Sequence, residues 1–253
     1  MRSRLAVTGM LLAIPLLGML FALNIPNASA THHTSQCKWD FPWPRTVRYY
    51  IHTNYYDPSM SPTQFSLSQA QRISYGPSTW SEGGFNLLFE RGDRTQSQNG
   101  YGHLSYVMRG NLVYSDIIAQ TYLRTSNGTL IDSFDDIQQG MCHRDQGRPI
   151  VAGFTIFNSL VQFSEDCAAY SCSNPDRWDL HAVAAHEFGH WFAMDESGYH
   201  LGWSPIFGHQ CTGHGCDDTM MQNIFAGDTH QRTLTSDDKD SARVMYGCRI
   251  SGC

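Results

Sequence analysis

Residues 179–194, DLHAVAAHEFGHWFAM, limit the fold more than any other stretch of this chain. Asp179 is of the type that caps a helix, its carboxylate accepting a backbone N–H of the first turn. The run through Ala182, Val183, Ala184 and Ala185 predicts a helix reaching about Met194. Residues four apart on a helix share a face, so His186 and His190 can aim two imidazole nitrogens at one ion. Glu187 falls on an adjoining part of that surface, near such an ion without having to bind it. The fold must therefore carry a helix with two metal-competent imidazoles and a carboxylate side by side.

Those residue types in that spacing suit one chemistry. A zinc ion held by protein ligands, with one position open, lowers the pKa of its bound water to about 7. A carboxylate beside it can take the water's proton and hand it to a leaving amine. H-E-x-x-H is the spacing that puts these groups together. Five residues with three fixed identities also recur in unrelated helices, so the rest of the chain has to decide.

The first thirty residues read as a secretory signal peptide. Arg2 and Arg4 precede an apolar run from Leu5 to Leu23, and Ala28-Ser29-Ala30 is a cleavage pattern. An uncleaved anchor is the alternative, which Pro15 and the small-residue ending disfavour. Cleavage removes two arginines and no acid, moving the formal charge from −6 to −8. An acidic surface excludes nucleic acid as the expected partner, and no later stretch is long and apolar enough to span a membrane. The expected localisation is secreted, with no stable membrane association after cleavage.

The cysteines agree with export. All eight follow residue 30, and six form C-x4-C pairs: 167/172, 211/216 and 248/253. The expectation is three local disulfides with Cys37 and Cys142 left for a long-range bridge, although eight cysteines permit many connectivities. Residues 31–253 show no repeat, low-complexity tract or linker, and are expected to form one domain.

Strands are expected at 47–51, at 85–89, near 103–108 and 113–123, and at 149–158. Residues 64–81 have helical spacing, with Gly76-Pro77 expected to break or kink the helix. Residues 197–234, rich in Gly, His and Asp, read as an ordered loop. Thr235-Ser236-Asp237-Asp238 resembles a capping box opening a last helix to about Tyr246, with Gly247 placed to end it. Asn127-Gly128-Thr129 is a glycosylation acceptor if the host glycosylates.

The stretch 179–195, together with Arg232-Thr233-Leu234-Thr235-Ser236-Asp237-Asp238 and Val244-Met245-Tyr246-Gly247, resembles the matrixins, within the metzincin clan of zinc peptidases. Asp217-Asp218-Thr219-Met220-Met221 is similar to the metzincin Met-turn, with Met220 favoured over Met221. The resemblance implies an α+β, zincin-like (metzincin) domain: a twisted mixed sheet packed on an active-site helix. A small C-terminal subdomain ending in a helix would follow, with the division near 194/195. It implies a secreted zinc endopeptidase acting on protein or peptide as a monomer, with Zn2+ on His186 and His190 and Glu187 as general base, then acid. It also implies an extended peptide aligned antiparallel to an edge strand, for which 153–157 is the candidate. Structural Ca2+ has no recognisable motif here.

The chain departs from the family pattern H-E-x-x-H-x-x-G-x-x-H at two positions. Ala193 replaces the glycine, so the turn out of the helix is expected to be shaped differently, because alanine resists a positive φ. Glu196 stands at the third-ligand position, where a glutamate oxygen can bind zinc at about 2.0–2.2 Å. His200 is the alternative third ligand, followed by Asp195, His209 and His214. Met220 stands 24 residues beyond Glu196, a separation that implies an inserted loop carrying Cys211 and Cys216. The competing reading is a non-catalytic secreted module of the same fold with a degenerate metal site. A gluzincin with a distant glutamate ligand is a third, which the Met-turn and final helix disfavour.

Overall fold

The computed structural model describes residues 38–39, 45–53, 64–92, 105–112, 117–132, 149–167, 172–194, 218–220, 224, 226–251 and 253. Six strands form one sheet: β1 (Arg45–Ile51), β2 (Leu87–Arg91), β3 (Ser105–Gly110), β4 (Ala119–Thr125), β5 (Leu130–Asp132) and β6 (Ile150–Asn158). A minor sheet pairs β7 (Phe163–Ser164) with β8 (Trp178–Asp179). The helices are α1 (Leu67–Glu82), α2 (Leu180–Trp191) and α3 (Ser236–Tyr246), with a 3-10 turn at His230–Arg232. The architecture is mixed α+β, and no helix among the described residues is long and apolar enough to cross a membrane.

The strand order is β2-β1-β3-β6-β4-β5. β1 pairs in parallel with β2 and β3, β3 pairs in parallel with β6, and β4 runs antiparallel to both β6 and β5. The expected edge strand at 153–157 is therefore interior, because β6 carries β3 on one side and β4 on the other. Its near-continuous burial follows from that position. β5 borders β4 over 122–124 only. The second strand lies two residues later than the expected 85–89; Phe85 instead makes an isolated bridge to Cys248.

One face of the sheet carries both long helices. Tyr49 and Phe89 pack their rings against Phe188 at 5.0 and 5.2 Å, and the Phe188 ring lies 4.5 Å from that of Trp191. Trp39 Nε1 donates to Trp191 O at 2.7 Å, fastening the N-terminal segment to the end of α2. All of 182–194 is buried, so α2 is a central helix rather than an amphipathic surface one.

α1 runs on through Gly76-Pro77, so of the expected break or kink the break does not occur. A Cβ at Gly76 would stand 2.5 Å from the Ala184 carbonyl carbon and 2.6 Å from Ala185 N, so glycine lets α1 lie directly on α2. Trp80 Nε1 then donates to Ala185 O at 2.7 Å. Tertiary contact holds the helix across a residue pair that would disrupt it alone. A Ser66–Gln69 capping box starts it.

Disulfides join Cys167 to Cys172 and Cys248 to Cys253, as the spacing suggested. The expected 211/216 and 37/142 bridges fall outside the described residues, as does the signal segment 1–30. Asn127 lies in the exposed turn between β4 and β5, where its Oδ1 accepts from Thr125 Oγ1 and Thr129 N.

Candidate metal centre

α2 starts as the sequence implies, with Asp179 Oδ1 accepting from His181 N at 2.9 Å. The other carboxylate oxygen pairs with Arg232 Nε, and Arg232 Nη2 reaches Cys167 O at 3.0 Å. The cap, the 167–172 staple and the segment leading into α3 are thereby tied together. The helix ends three residues short of the expected Met194, in a turn that bears on the site. Ala193 has φ 56°. Ala193 N donates to His190 O at 2.7 Å and Met194 N to Gly189 O at 3.3 Å. This is the Schellman pattern, with a left-handed residue just past the helix. The expectation that alanine would reshape the turn is corrected: Ala193 accepts the left-handed conformation, which costs roughly 1–2 kcal/mol outside glycine. Full burial of residues 192–194 holds it there.

The turn returns the Met194 carbonyl to the helix, where His190 Nδ1 donates to it at 2.8 Å. His186 Nδ1 donates likewise to Thr219 O at 2.8 Å. A carbonyl only accepts, so each Nδ1 carries a proton, and in the neutral form of either ring the acceptor lone pair is then on Nε2. The ring centroids are 4.9 Å apart, close enough for both to serve one ion. Burial, with the nearby His186 adding to it and the Met194 bond opposing, pushes the His190 pKa down from 6.5 to about 3. His190 is thus a neutral imidazole throughout the physiological range, as a metal ligand must be.

Thr219 is itself held. Its N–H donates to Asp238 Oδ2 at 3.0 Å and its hydroxyl to Thr233 O at 3.0 Å. Asp238 Oδ2 also accepts from Thr235 N at 2.8 Å, completing the capping box of α3. The aspartate at the fourth position of that box thus links the final helix to the carbonyl that orients His186. Met220 is fully buried against α2, at Gly189, between the two histidines in sequence. A Cβ on Gly189 would come within 1.9 Å of Met220 Sδ. Met221 lies outside the described residues.

Glu187 is buried, and its Oε2 accepts from Thr121 Oγ1 at 2.6 Å. Thr121 Oγ1 lies 2.7 Å from Thr155 Oγ1, to which Trp191 Nε1 donates at 2.9 Å. Thr121 and Thr155, like Thr219, escape sequence reasoning: they stand 32–66 residues from α2's glutamate and histidines, on other elements. Pairing Thr121 with Thr155 depends on strand register, which no local spacing encodes.

Glu196, His200, Asp195, His209 and His214 all lie outside the described residues, among which no three His, Cys, Asp or Glu side chains form a metal-holding group. Two of three expected ligands are thus brought together, and their chemistry fits zinc. Other described histidines do not join them. His181 Nε2 lies 3.1 Å from Thr79 Oγ1 beside the Tyr75 ring, and His230 pairs with Asp228 at the surface.

Scans against protein-family models and against curated proteins give no match for this sequence. Among solved structures the chain is similar to myroilysin, with 12% identity, a TM-score of 0.39, and coverage of 83% of this chain and 97% of that one. So loose an overlap assigns no role to any residue; the chain's own geometry has to do that.

Proposed function

We propose that residues 31–253 form the catalytic domain of a secreted, matrixin-like zinc endopeptidase, exported by the segment 1–30. The observation that supports it most is the pair of imidazoles on one turn of a buried helix, each fixed through Nδ1 so that Nε2 can bind metal. His186, His190 and Glu196 would hold the ion, with His200 the alternative third ligand and Met220 the residue packed beneath. Bound zinc supplies a Lewis acid and a water of lowered pKa. Glu187 takes the proton of the attacking water and returns it to the leaving amine. Thr219 O and Met194 O keep the two imidazoles in the tautomer that binds metal.

The peptide has to lie elsewhere than along β6. β4 touches Glu187 through Thr121 and is bounded outward by three-residue β5, so in this reading an extended substrate runs along that side of the sheet.

The test is elemental analysis of the purified chain together with cleavage of quenched-fluorescence peptides. The expected result is one zinc per chain, with Glu187→Ala losing at least about 10²-fold in activity while keeping its zinc. Stoichiometric zinc with undiminished cleavage in Glu187→Ala would overturn the mechanism. Absence of zinc from the wild-type chain would favour the non-catalytic module.

A further inference from the structure

The buried hydroxyls behind Glu187 form a line whose direction is set at both ends. The Trp191 indole N–H can only donate, so Thr155 Oγ1 receives it at 2.9 Å. The general-base role needs Glu187 as a carboxylate, which can only accept, so the Thr121 hydroxyl donates to Glu187 Oε2 at 2.6 Å, with Glu187 O a longer second acceptor at 3.3 Å. Between them the Thr155 hydroxyl donates to Thr121 Oγ1 at 2.7 Å. Every hydroxyl proton then has one direction, from the indole toward the carboxylate. Bonds so aligned reinforce one another away from water, and the last is charge-assisted and short. Thr121, Thr155 and Trp191 are each fully buried.

The fold builds this line from three elements. Thr121 on β4 and Thr155 on β6 are register partners across the antiparallel pair. Trp191 reaches them because Gly153, two residues before Thr155 on the same face, lets the indole lie against the sheet. A Cβ there would sit 3.0–3.2 Å from three carbons of the ring. Trp39 holds the Trp191 carbonyl from the other side. Two buried threonines could satisfy each other without any role in a site; a line that runs from an indole and ends on the HExxH carboxylate has a further consequence.

We infer that Thr121, supported by Thr155 and Trp191, is a positioning residue that holds the Glu187 carboxylate in the orientation required for proton transfer. The inference rests on the peptidase reading above, in which Glu187 is the general base. Thr121→Val keeps the shape and removes the donor, whereas Thr121→Ser keeps the donor. In Thr155→Val, Thr121 can still donate, but it loses the neighbour that aligns its proton.

Steady-state kinetics of the zinc-loaded chain, with zinc content and melting temperature measured on each variant, form the first arm. Thr121→Val is expected to lower kcat about 10–100-fold, the range for an outer partner of a metal site. Its KM and zinc content stay at wild-type values, Thr121→Ser recovers most of the loss, and Thr155→Val loses less than Thr121→Val. Unchanged kcat in Thr121→Val overturns the inference, as does an equal loss in Thr121→Ser. If Thr121→Val does not fold, undiminished kcat in Thr155→Val overturns it. The second arm needs no activity: crystal structures of the zinc-free wild type and variants. The Glu187 carboxylate should leave its wild-type position in Thr121→Val and keep it in Thr121→Ser; no movement in Thr121→Val overturns the inference. Glu187→Ala, assayed alongside, separates the two claims. An inactive wild type or an active Glu187→Ala defeats the peptidase reading, while the crystallographic arm still decides whether Thr121 orients the carboxylate.

Discussion

Replacing Gly189 by alanine tests how closely the segment 218–220 must approach α2. An added Cβ would meet Met220 Sδ at 1.9 Å and Trp80 Cζ2 at 2.8 Å, with both side chains fully buried. Trp80 cannot swing away without breaking its bond to Ala185 O. Met220 must retreat instead, by about 1.5 Å, to reach ordinary van der Waals contact near 3.5 Å. Overpacking of this kind costs about 1–3 kcal/mol, while alanine in a helix recovers up to about 1 kcal/mol relative to glycine. The net expectation is a loss of about 1–2 kcal/mol, or roughly 2–8 °C in melting temperature for a chain of this size. Displacing Met220 also shifts Thr219, whose carbonyl orients His186, so zinc affinity should fall with stability. Met220→Ala alone should cost about 2–5 kcal/mol through the cavity it leaves. In the double variant the new methyl enters that cavity, so the two losses should fall short of additive by at least about 1 kcal/mol. Equilibrium denaturation of all four proteins measures the cycle. A Gly189→Ala protein as stable as the wild type, or strictly additive losses, would refute the packing argument.

Gly76→Ala should reverse the usual helix preference. The substitution normally stabilises a helix by up to about 1 kcal/mol, but here the methyl meets backbone of α2 at 2.5 Å; destabilisation in urea titrations is expected, and stabilisation would show that the helices can separate freely. His181 should contribute an acid-sensitive step. Burial, aided by Arg232 and Arg72, lowers its pKa from 6.5 to about 4, so below pH 6.5 the unfolded chain binds the extra proton. Stability therefore falls as pH drops from 6.5 toward 4, by up to about 3 kcal/mol from this residue. His181→Gln should flatten that limb in denaturation midpoints taken between pH 4 and 7, and an unaltered pH profile would exclude the assignment.

Much of α2 and α3 was legible because helix geometry is local. Asp179 caps α2, and the i, i+4 rule puts His186 and His190 on one face whatever surrounds them. Thr235 and Asp238 open α3, and Gly247 ends it with a positive φ of 67°. Cysteines five residues apart closed into staples at 167–172 and 248–253 for the same reason of short reach. The apolar run at 149–158 announced a buried strand. Its neighbours were not written in it, which is why 153–157 read as an edge and proved interior.

By itself, then, the sequence determined which residues share a helical face, His186 and His190 among them, and where two helices are capped. Tertiary structure alone decided what holds those groups still. Thr121 and Thr155 meet through strand register, Gly76 and Gly189 matter because other elements press on them, and Ala193 keeps a left-handed turn because its neighbours bury it. The physical reason is range. Helical periodicity and capping act within four or five residues, whereas the partners of a buried imidazole or carboxylate arrive from elements tens of residues away, brought by packing that no local pattern records.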